Sequence, residues 1–333
     1  MKKIAVLGEG AWGTAVATLL AHNGYAVTVW CYHADLVDVI NRTRMNERYL
    51  PGIALSPLIT AVGSIEDAIS DAEWIFEAIP VQYLRSIIEK VKPYYHKSQR
   101  WVVMSKGIEK NSLCLPTEII SDVLGADVQQ TVFAGPSFAR DLARKDITAV
   151  TIAAPDCEHA KELQHLLAND YFRPYISTDM IGVQAGAALK NVIALGIGML
   201  DGAGYTDNAK AFMLTRGLHE MTELAVKLGG RQETMYGLSG VGDLVLTAMG
   251  SLSRNLEVGK KLGRGQSLEE ILQKTGYIPE GINTVASMHA LMGKYDVQLS
   301  ICTGIYDVIF KGKSLQNMLH ALMRQPLSYE CEQ

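Results

Sequence analysis

Paired cysteines are what the sequence most plainly lacks. The five it has, Cys31, Cys114, Cys157, Cys302 and Cys331, are odd in number, widely spaced and never arranged as Cys-x-x-Cys. A disulfide framework and a zinc ribbon are thereby disfavoured, and free thiols suit a reducing cytoplasm. No cluster of His, Cys, Asp and Glu has metal-ligand spacing, so metal-free chemistry is expected. A basic surplus is missing as well. The 31 Lys and Arg residues stand against 35 Asp and Glu, a formal net charge of −4, and they are scattered rather than striped. That argues against nucleic acid as a partner, and any anion site must be local. The N-terminal apolar run stops at Gly8 and Glu9, too soon for a signal peptide. One stretch, 181–200, has membrane length, but it carries Gln184, Lys190 and Asn191 along with four glycines. A charge in mid-membrane costs about 2.5–3.5 kcal/mol, so the stretch reads as a buried helix of a soluble protein with no membrane span.

What is present is ordinary globular composition, 48% hydrophobic and 20% charged, in 333 residues, a length suited to two domains rather than one core. The first half alternates short apolar runs at 4–7, 26–30, 74–79, 100–104, 131–134 and 149–153 with helical stretches at 13–23, 34–41, 81–91, 115–124 and 157–167. Strands alternating with helices imply βαβ units and a parallel sheet. After about Thr178 the segments are longer and helical: 181–201, 208–228, 253–262, 267–274, 283–292, 302–310 and 314–323. Ser267 with Glu270 has the spacing of a capping box, and Gly229-Gly230 suits a left-handed helix cap. The expected fold is α/β, with a Rossmann-like doubly wound parallel sheet over 1–178 followed by an all-helical C-terminal domain over 179–333. Apolar helical faces of this kind often pair, which makes a homodimer the expectation.

Residues 8–13, Gly8-Glu9-Gly10-Ala11-Trp12-Gly13, join the first strand to the first helix. Gly8 suits a tight turn, Gly10 close backbone approach to a pyrophosphate, and Gly13 close packing of helix on strand. The setting between strand, helix and second strand turns a weak pattern into a dinucleotide site. NAD-selective sites place an acid about twenty residues past the glycines, on the ribose 2′-hydroxyl. Here the strand runs into Cys31-Tyr32-His33, and Asp35 lies too far along. With no carboxylate at the strand end, NADP(H) is favoured over NAD(H), with Tyr32 or His33 as the contact.

Three cations stand out. Lys106, just past the run 101–104, is placed to face the cleft beyond the strand ends. Lys190 is the only charge between Asp179 and Asp201. Two readings of it stay open on the residues alone: a stem snorkelling harmlessly, or a desolvated amine suited to proton transfer. Arg254, between Ser253 and Asn255 at a helix start, fits an anion seat, or else an ordinary cap beside a surface arginine. Gly135-Pro136-Ser137-Phe138 follows a strand and offers a hydroxyl, and 237–243 is a glycine-rich loop ending in Asp243.

These pieces together resemble the bacterial NAD(P)-dependent glycerol-3-phosphate dehydrogenase family nearly end to end. The match is carried by Gly8-x-Gly10-x-Trp12-Gly13-Thr14-Ala15, Tyr49-Leu50-Pro51-Gly52, Ser105-Lys106-Gly107, Gly135-Pro136-Ser137-Phe138-Ala139, Ala188-Leu189-Lys190-Asn191-Val192, Asp207-Asn208-Ala209-Lys210, Gly240-Val241-Gly242-Asp243-Leu244, Ser253-Arg254-Asn255 and Glu280-Gly281. The resemblance implies reduction of dihydroxyacetone phosphate to sn-glycerol 3-phosphate for phospholipid synthesis. It implies Lys190 as proton donor and acceptor. It places Lys106, Gly135, Ser137, Asp243, Ser253, Arg254 and Asn255 around the substrate. It places Ala11, Trp12, Tyr32, Ala139 and Glu280 on the dinucleotide, with Lys106 and Arg254 shared and Ile278 nearby. The chain departs from the family at Cys31-Tyr32-His33, at Asp141 in place of Glu, and at Ala248-Met249-Gly250. Rival readings are a ketopantoate or hydroxyacid reductase of the same architecture, and a redox sensor that holds the dinucleotide without turnover.

Overall fold

A computed structural model describes residues 2–275, 278–327 and 329–330. Its centre is one eight-stranded sheet: β1 (Ile4–Leu7), β2 (Val27–Trp30), β3 (Ile59–Val62), β4 (Trp74–Glu77), β5 (Arg100–Val103), β6 (Gln129–Ala134), β7 (Thr148–Ala153) and β8 (Phe172–Ser177). The spatial order is β3-β2-β1-β4-β5-β6-β7-β8. β1 lies between β2 and β4, so the chain reverses direction across the sheet at its C-terminal end, where such sheets bind ligands. The interior strands are apolar on both faces because helices cover both.

The sheet departs from the sequence expectation in three places. β3 and β8 are strands the apolar runs did not mark. Both are edge strands, so neither needs an uninterrupted apolar run. β8 even holds Pro174, tolerated where a backbone donor has no neighbour to serve. The third departure is direction. β7 runs antiparallel to β6 while β8 runs parallel to β7, so the sheet is mostly rather than wholly parallel. The β6–β7 connection contains only the five-residue helix Ala139–Ala143. About 7 Å of helix cannot carry the chain back along a strand of about 20 Å, so β7 returns alongside β6.

From Met180 onward every described regular element is helical. The long helix Met180–Gly202 is the axis, packed by Asp207–Lys227, Asp243–Met249, Arg254–Gly263 and Glu280–Tyr295. It is the one described helix long and apolar enough to cross a membrane, and 89% of its most apolar window is buried inside the protein. Its glycines let neighbours approach to backbone contact. A Cβ on Gly198 would lie 2.3 Å from the Leu256 carbonyl oxygen. Gly198→Ala should therefore lower Tm, because overpacking of about 3 kcal/mol outweighs about 1 kcal/mol of helix propensity; a raised Tm would show that the two helices are not held this close. Two local expectations are met: Ser267 and Glu270 form a reciprocal capping box at 2.9 and 3.2 Å, and Gly229 takes a φ of +100° past the end of Asp207–Lys227. The four described cysteines are free, and Cys331 lies outside the described residues.

Candidate active site

The chain turns directly after β1. Gly8 takes a φ of +115°, and a Cβ on Gly13 would lie 2.0 Å from the Gly8 carbonyl oxygen, so the helix Ala11–His22 can seat on the strand end only with glycine at 13. Above Gly10 nothing lies within 4 Å of where a Cβ would be. That helix starts with no side-chain cap and no acid in its first turn. Its first N–H groups are thus available to an anion, and the turn fits a dinucleotide. Trp12 packs its ring edge-on against Phe133 at 5.5 Å, and Ala139 packs against the same core.

The end of β2 differs from the sequence expectation. NADP(H) was favoured because no carboxylate follows Trp30, yet Glu9 reaches there from inside the glycine turn. Its Oε2 accepts from the Tyr32 N–H at 3.0 Å, and its Oε1 accepts from the His33 N–H at 3.2 Å and lies 2.6 Å from His33 Nδ1. A carboxylate thus does stand at the end of β2, brought there by a residue that precedes the strand. The Tyr32 ring is exposed, and the Tyr49 hydroxyl lies 3.4 Å from His33 Nδ1.

Lys106, Lys190 and Asp243 come from three distant segments and meet. Asp243 accepts from Lys106 Nζ at 2.8 Å through Oδ2 and from Lys190 Nζ at 2.6 Å through Oδ1. Lys190 Nζ also donates to Thr247 Oγ1 at 2.6 Å, and Lys106 Nζ to the Gly135 carbonyl at 3.2 Å. The segment 237–243 is not the loop expected from its glycines. It is a π-helical turn, Leu238–Gly242, running into the helix Asp243–Met249. The turn closes on Met180–Gly202 at Gly186, where a Cβ would lie 2.6 Å from the Ser239 carbonyl oxygen. This close approach is what sets Asp243 against Lys190.

Burial, opposed by Asp243 and helped by Lys106, brings the Lys190 pKa down to about 8. Two ammonium groups on one carboxylate leave the cluster with a net positive charge. Such a site suits an oxygen that gains negative charge in a reaction. Lys190 is thereby engaged with charged partners rather than snorkelling.

Beside this cluster, Ser253 caps the helix Arg254–Gly263, its hydroxyl accepting from the Leu256 N–H at 3.2 Å, and Arg254 is exposed at the first helical position. Asn255 is turned inward: it donates to Asn191 Oδ1 at 2.9 Å and accepts from the Gly281 N–H at 3.1 Å. It ties the starts of two helices together and keeps a second amide N–H that neither bond uses. Ser137 donates to the Gly135 carbonyl at 3.0 Å. Glu280 opens its helix with Oε2 buried and without a hydrogen-bond partner, 3.1 Å from where a Gly107 Cβ would be. Burial pushes its carboxyl up to about 7 against the pull of Arg254. An orphaned polar atom at this edge fits a ligand hydroxyl or amide. Ile278 is exposed in the segment leading to Glu280. The structure brings no metal-ligating group of three or more His, Cys, Asp and Glu together among the described residues.

Sequence reasoning missed Glu9, Thr247 and Glu77. Thr247 lies four residues after Asp243 on one helix, a spacing that signals a shared face once that helix is known. Glu77, buried at the end of β4, accepts from the Ile79 N–H at 2.6 Å and from the Ser105 N–H at 3.3 Å. It ties the β4 and β5 ends together, and burial pushes its carboxyl up to about 7.

Comparison with known proteins gives the family. The family NAD-dependent glycerol-3-phosphate dehydrogenase N-terminus matches residues 3–160, and NAD-dependent glycerol-3-phosphate dehydrogenase C-terminus matches 179–320. The glycerol-3-phosphate dehydrogenase [NAD(P)+] of Bacillus velezensis is 40% identical, over 100% of this chain and 97% of its own. The crystal structure of glycerol-3-phosphate dehydrogenase from Coxiella burnetii is 33% identical with a TM-score of 0.92, covering 97% of this chain and 99% of that one. The Saccharomyces cerevisiae enzyme is 27% identical with a TM-score of 0.84, covering 96% and 98%. With both halves matched and full-length identity of 40%, the chain is an oxidoreductase that belongs to the NAD-dependent glycerol-3-phosphate dehydrogenase family.

Proposed function

We propose that the chain reduces dihydroxyacetone phosphate to sn-glycerol 3-phosphate, reversibly, supplying glycerophospholipid synthesis in the cytoplasm. The observation that carries this reading is the Lys106–Asp243–Lys190 cluster, with the helix start that bears Arg254 tied through Asn255 to Asn191, the residue after Lys190. A nicotinamide dinucleotide, bound across residues 8–13, supplies the hydride to the ketone carbon. The chain's own groups do the rest. Lys190 Nζ donates its proton to the ketone oxygen, and in reverse takes the hydroxyl proton. Asp243 and Thr247 hold that amine in place. With a pKa brought down to about 8, the amine is still protonated at neutral pH yet gives up its proton more readily than an ordinary lysine. Lys106 adds positive charge beside the same oxygen. Arg254 and the N–H groups opening its helix, with Ser253 as cap, hold the phosphate. Gly135 and Ser137 border the substrate, while Ala11, Trp12, Ala139, Ile278 and Glu280 border the dinucleotide. Residues 179–333 form the substrate-binding domain and 1–178 the nucleotide domain, and we take a homodimer as the assembly.

The test is oxidation of reduced coenzyme by purified protein with dihydroxyacetone phosphate, against unphosphorylated dihydroxyacetone. Turnover should be confined almost wholly to the phosphorylated ketone, since remote binding energy positions the reacting carbon; equal rates would overturn the reading. Arg254→Ala should raise KM for the ketone about ten- to a hundredfold, the range of a lost charge-assisted contact, with a smaller change in kcat. An unchanged KM would remove Arg254 from the phosphate site.

A further inference from the structure

We infer that Glu9, inside the glycine turn, sets the coenzyme choice and makes the chain discriminate against a ribose 2′-phosphate, so that NADH is used in preference to NADPH. The inference rests on the preceding reading only in that residues 8–13 hold a dinucleotide. Its observation is separate: a carboxylate delivered to the end of β2 by a residue that precedes β2 in the chain.

Nucleotide sites of this architecture recognise the adenosine ribose at the end of the second strand. A 2′-phosphate bound there needs hydrogen-bond donors and positive charge. Here the backbone donors at that end, the Tyr32 and His33 N–H groups, are both given to Glu9, at 3.0 and 3.2 Å. The same carboxylate is 2.6 Å from His33 Nδ1, so the ring that the sequence offers to a phosphate already faces an acid. The Glu9 side chain is only 5% exposed, and charge repulsion in such a setting is weakly screened. Its main chain is anchored too, with the Glu9 carbonyl accepting from Asn46 Nδ2 at 2.7 Å and from Thr14 Oγ1 at 2.9 Å. The carboxylate therefore does not swing away with a flexible loop. Two arginines between β2 and β3 near this end are engaged elsewhere: Arg48 pairs with Asp35 at 3.5 Å and lies over the Tyr49 ring, and Arg44 donates to the Ile59 carbonyl at 2.8 Å. Lys90 lines the cavity beside Tyr32, but Glu66 lines it too. The arrangement has the effect of an acid at the end of β2, reached by a route that counting residues beyond the glycines does not reveal.

The experiment compares kcat/KM for NADH and NADPH at saturating dihydroxyacetone phosphate in the unmodified chain, in Glu9→Gln and in Glu9→Ser. In parallel, binding of NADH, NADPH, 5′-AMP and 2′,5′-ADP is measured without substrate. We expect the unmodified chain to favour NADH, and the non-phosphorylated nucleotide of each pair, by about tenfold or more, the size of one unfavourable charge contact. Glu9→Gln removes the charge and keeps an acceptor, while Glu9→Ser also frees the backbone donors. Both should shift the ratio toward the 2′-phosphorylated nucleotides, Glu9→Ser the further. Equal or tighter binding of the 2′-phosphorylated forms by the unmodified chain overturns the inference, even if neither variant folds. An unchanged ratio in folded variants overturns it as well. The binding arm needs no turnover, so failure of the chain to reduce the ketone would sink the proposed reaction without touching this one.

Discussion

Lys190→Ala should lower kcat for ketone reduction roughly a thousandfold or more, the upper part of the range for general acid catalysis by one group, while binding of the reduced coenzyme stays near normal. The variant is expected to fold. Asp243 keeps its 2.8 Å contact with Lys106 when Lys190 is gone, so no buried carboxylate is orphaned. The pH dependence gives a second check. Ketone reduction needs the protonated amine, so its kcat/KM should fall as pH rises through about 8, whereas alcohol oxidation needs the neutral amine and should rise across the same interval. The residual activity of Lys190→Ala should lack that inflection. If the variant retains near-normal kcat, the proton comes from elsewhere.

Asp243→Asn attacks the same cluster from its centre and should damage stability and activity together. Two lysines then face one neutral amide. Breaking a buried ion pair by removing one partner costs about 3–5 kcal/mol, which a clear drop in Tm would report. Asp243 raises the Lys190 pKa against burial and Lys106, so its loss should also move the reduction profile's inflection below about 8. A Tm and an inflection both unchanged would show that Asp243 does not join the lysines in solution.

The two variants separate chemistry from architecture. Lys190 touches the reacting oxygen in the proposed mechanism, and its loss is chiefly kinetic. Asp243 holds both lysines, and its loss is read in the melting curve as well as in the rate. The carboxyls of Glu77 and Glu280 behave differently again. Burial raises both to about 7, so their contribution to stability is present below about 4.5 and is lost as pH rises through about 7.

Much of this site can be read from residues because it is built at the ends of local elements. The turn at Gly8 and Gly13, the cap at Ser253 and the capping box at Ser267 are each set by a few consecutive residues. The residue type of Asn255 suits an anion seat, and only the packing shows that its amide also bridges Asn191 and Gly281. The 237–243 segment was misjudged because glycines suggest a loop when read in sequence; against Gly186 they instead allow a helical turn to press onto another helix.

The sequence by itself determined the alternation of strand and helix, the nucleotide turn and the helical second half, because hydrophobic period and glycine geometry act over a few residues. Tertiary structure alone decided that Asp243 joins Lys190, 53 residues away, to Lys106, 137 residues away. It alone brought Glu9 to the end of β2. Those outcomes depend on which backbones can approach and on what burial does to a charge, and neither is a property of any stretch of chain taken separately.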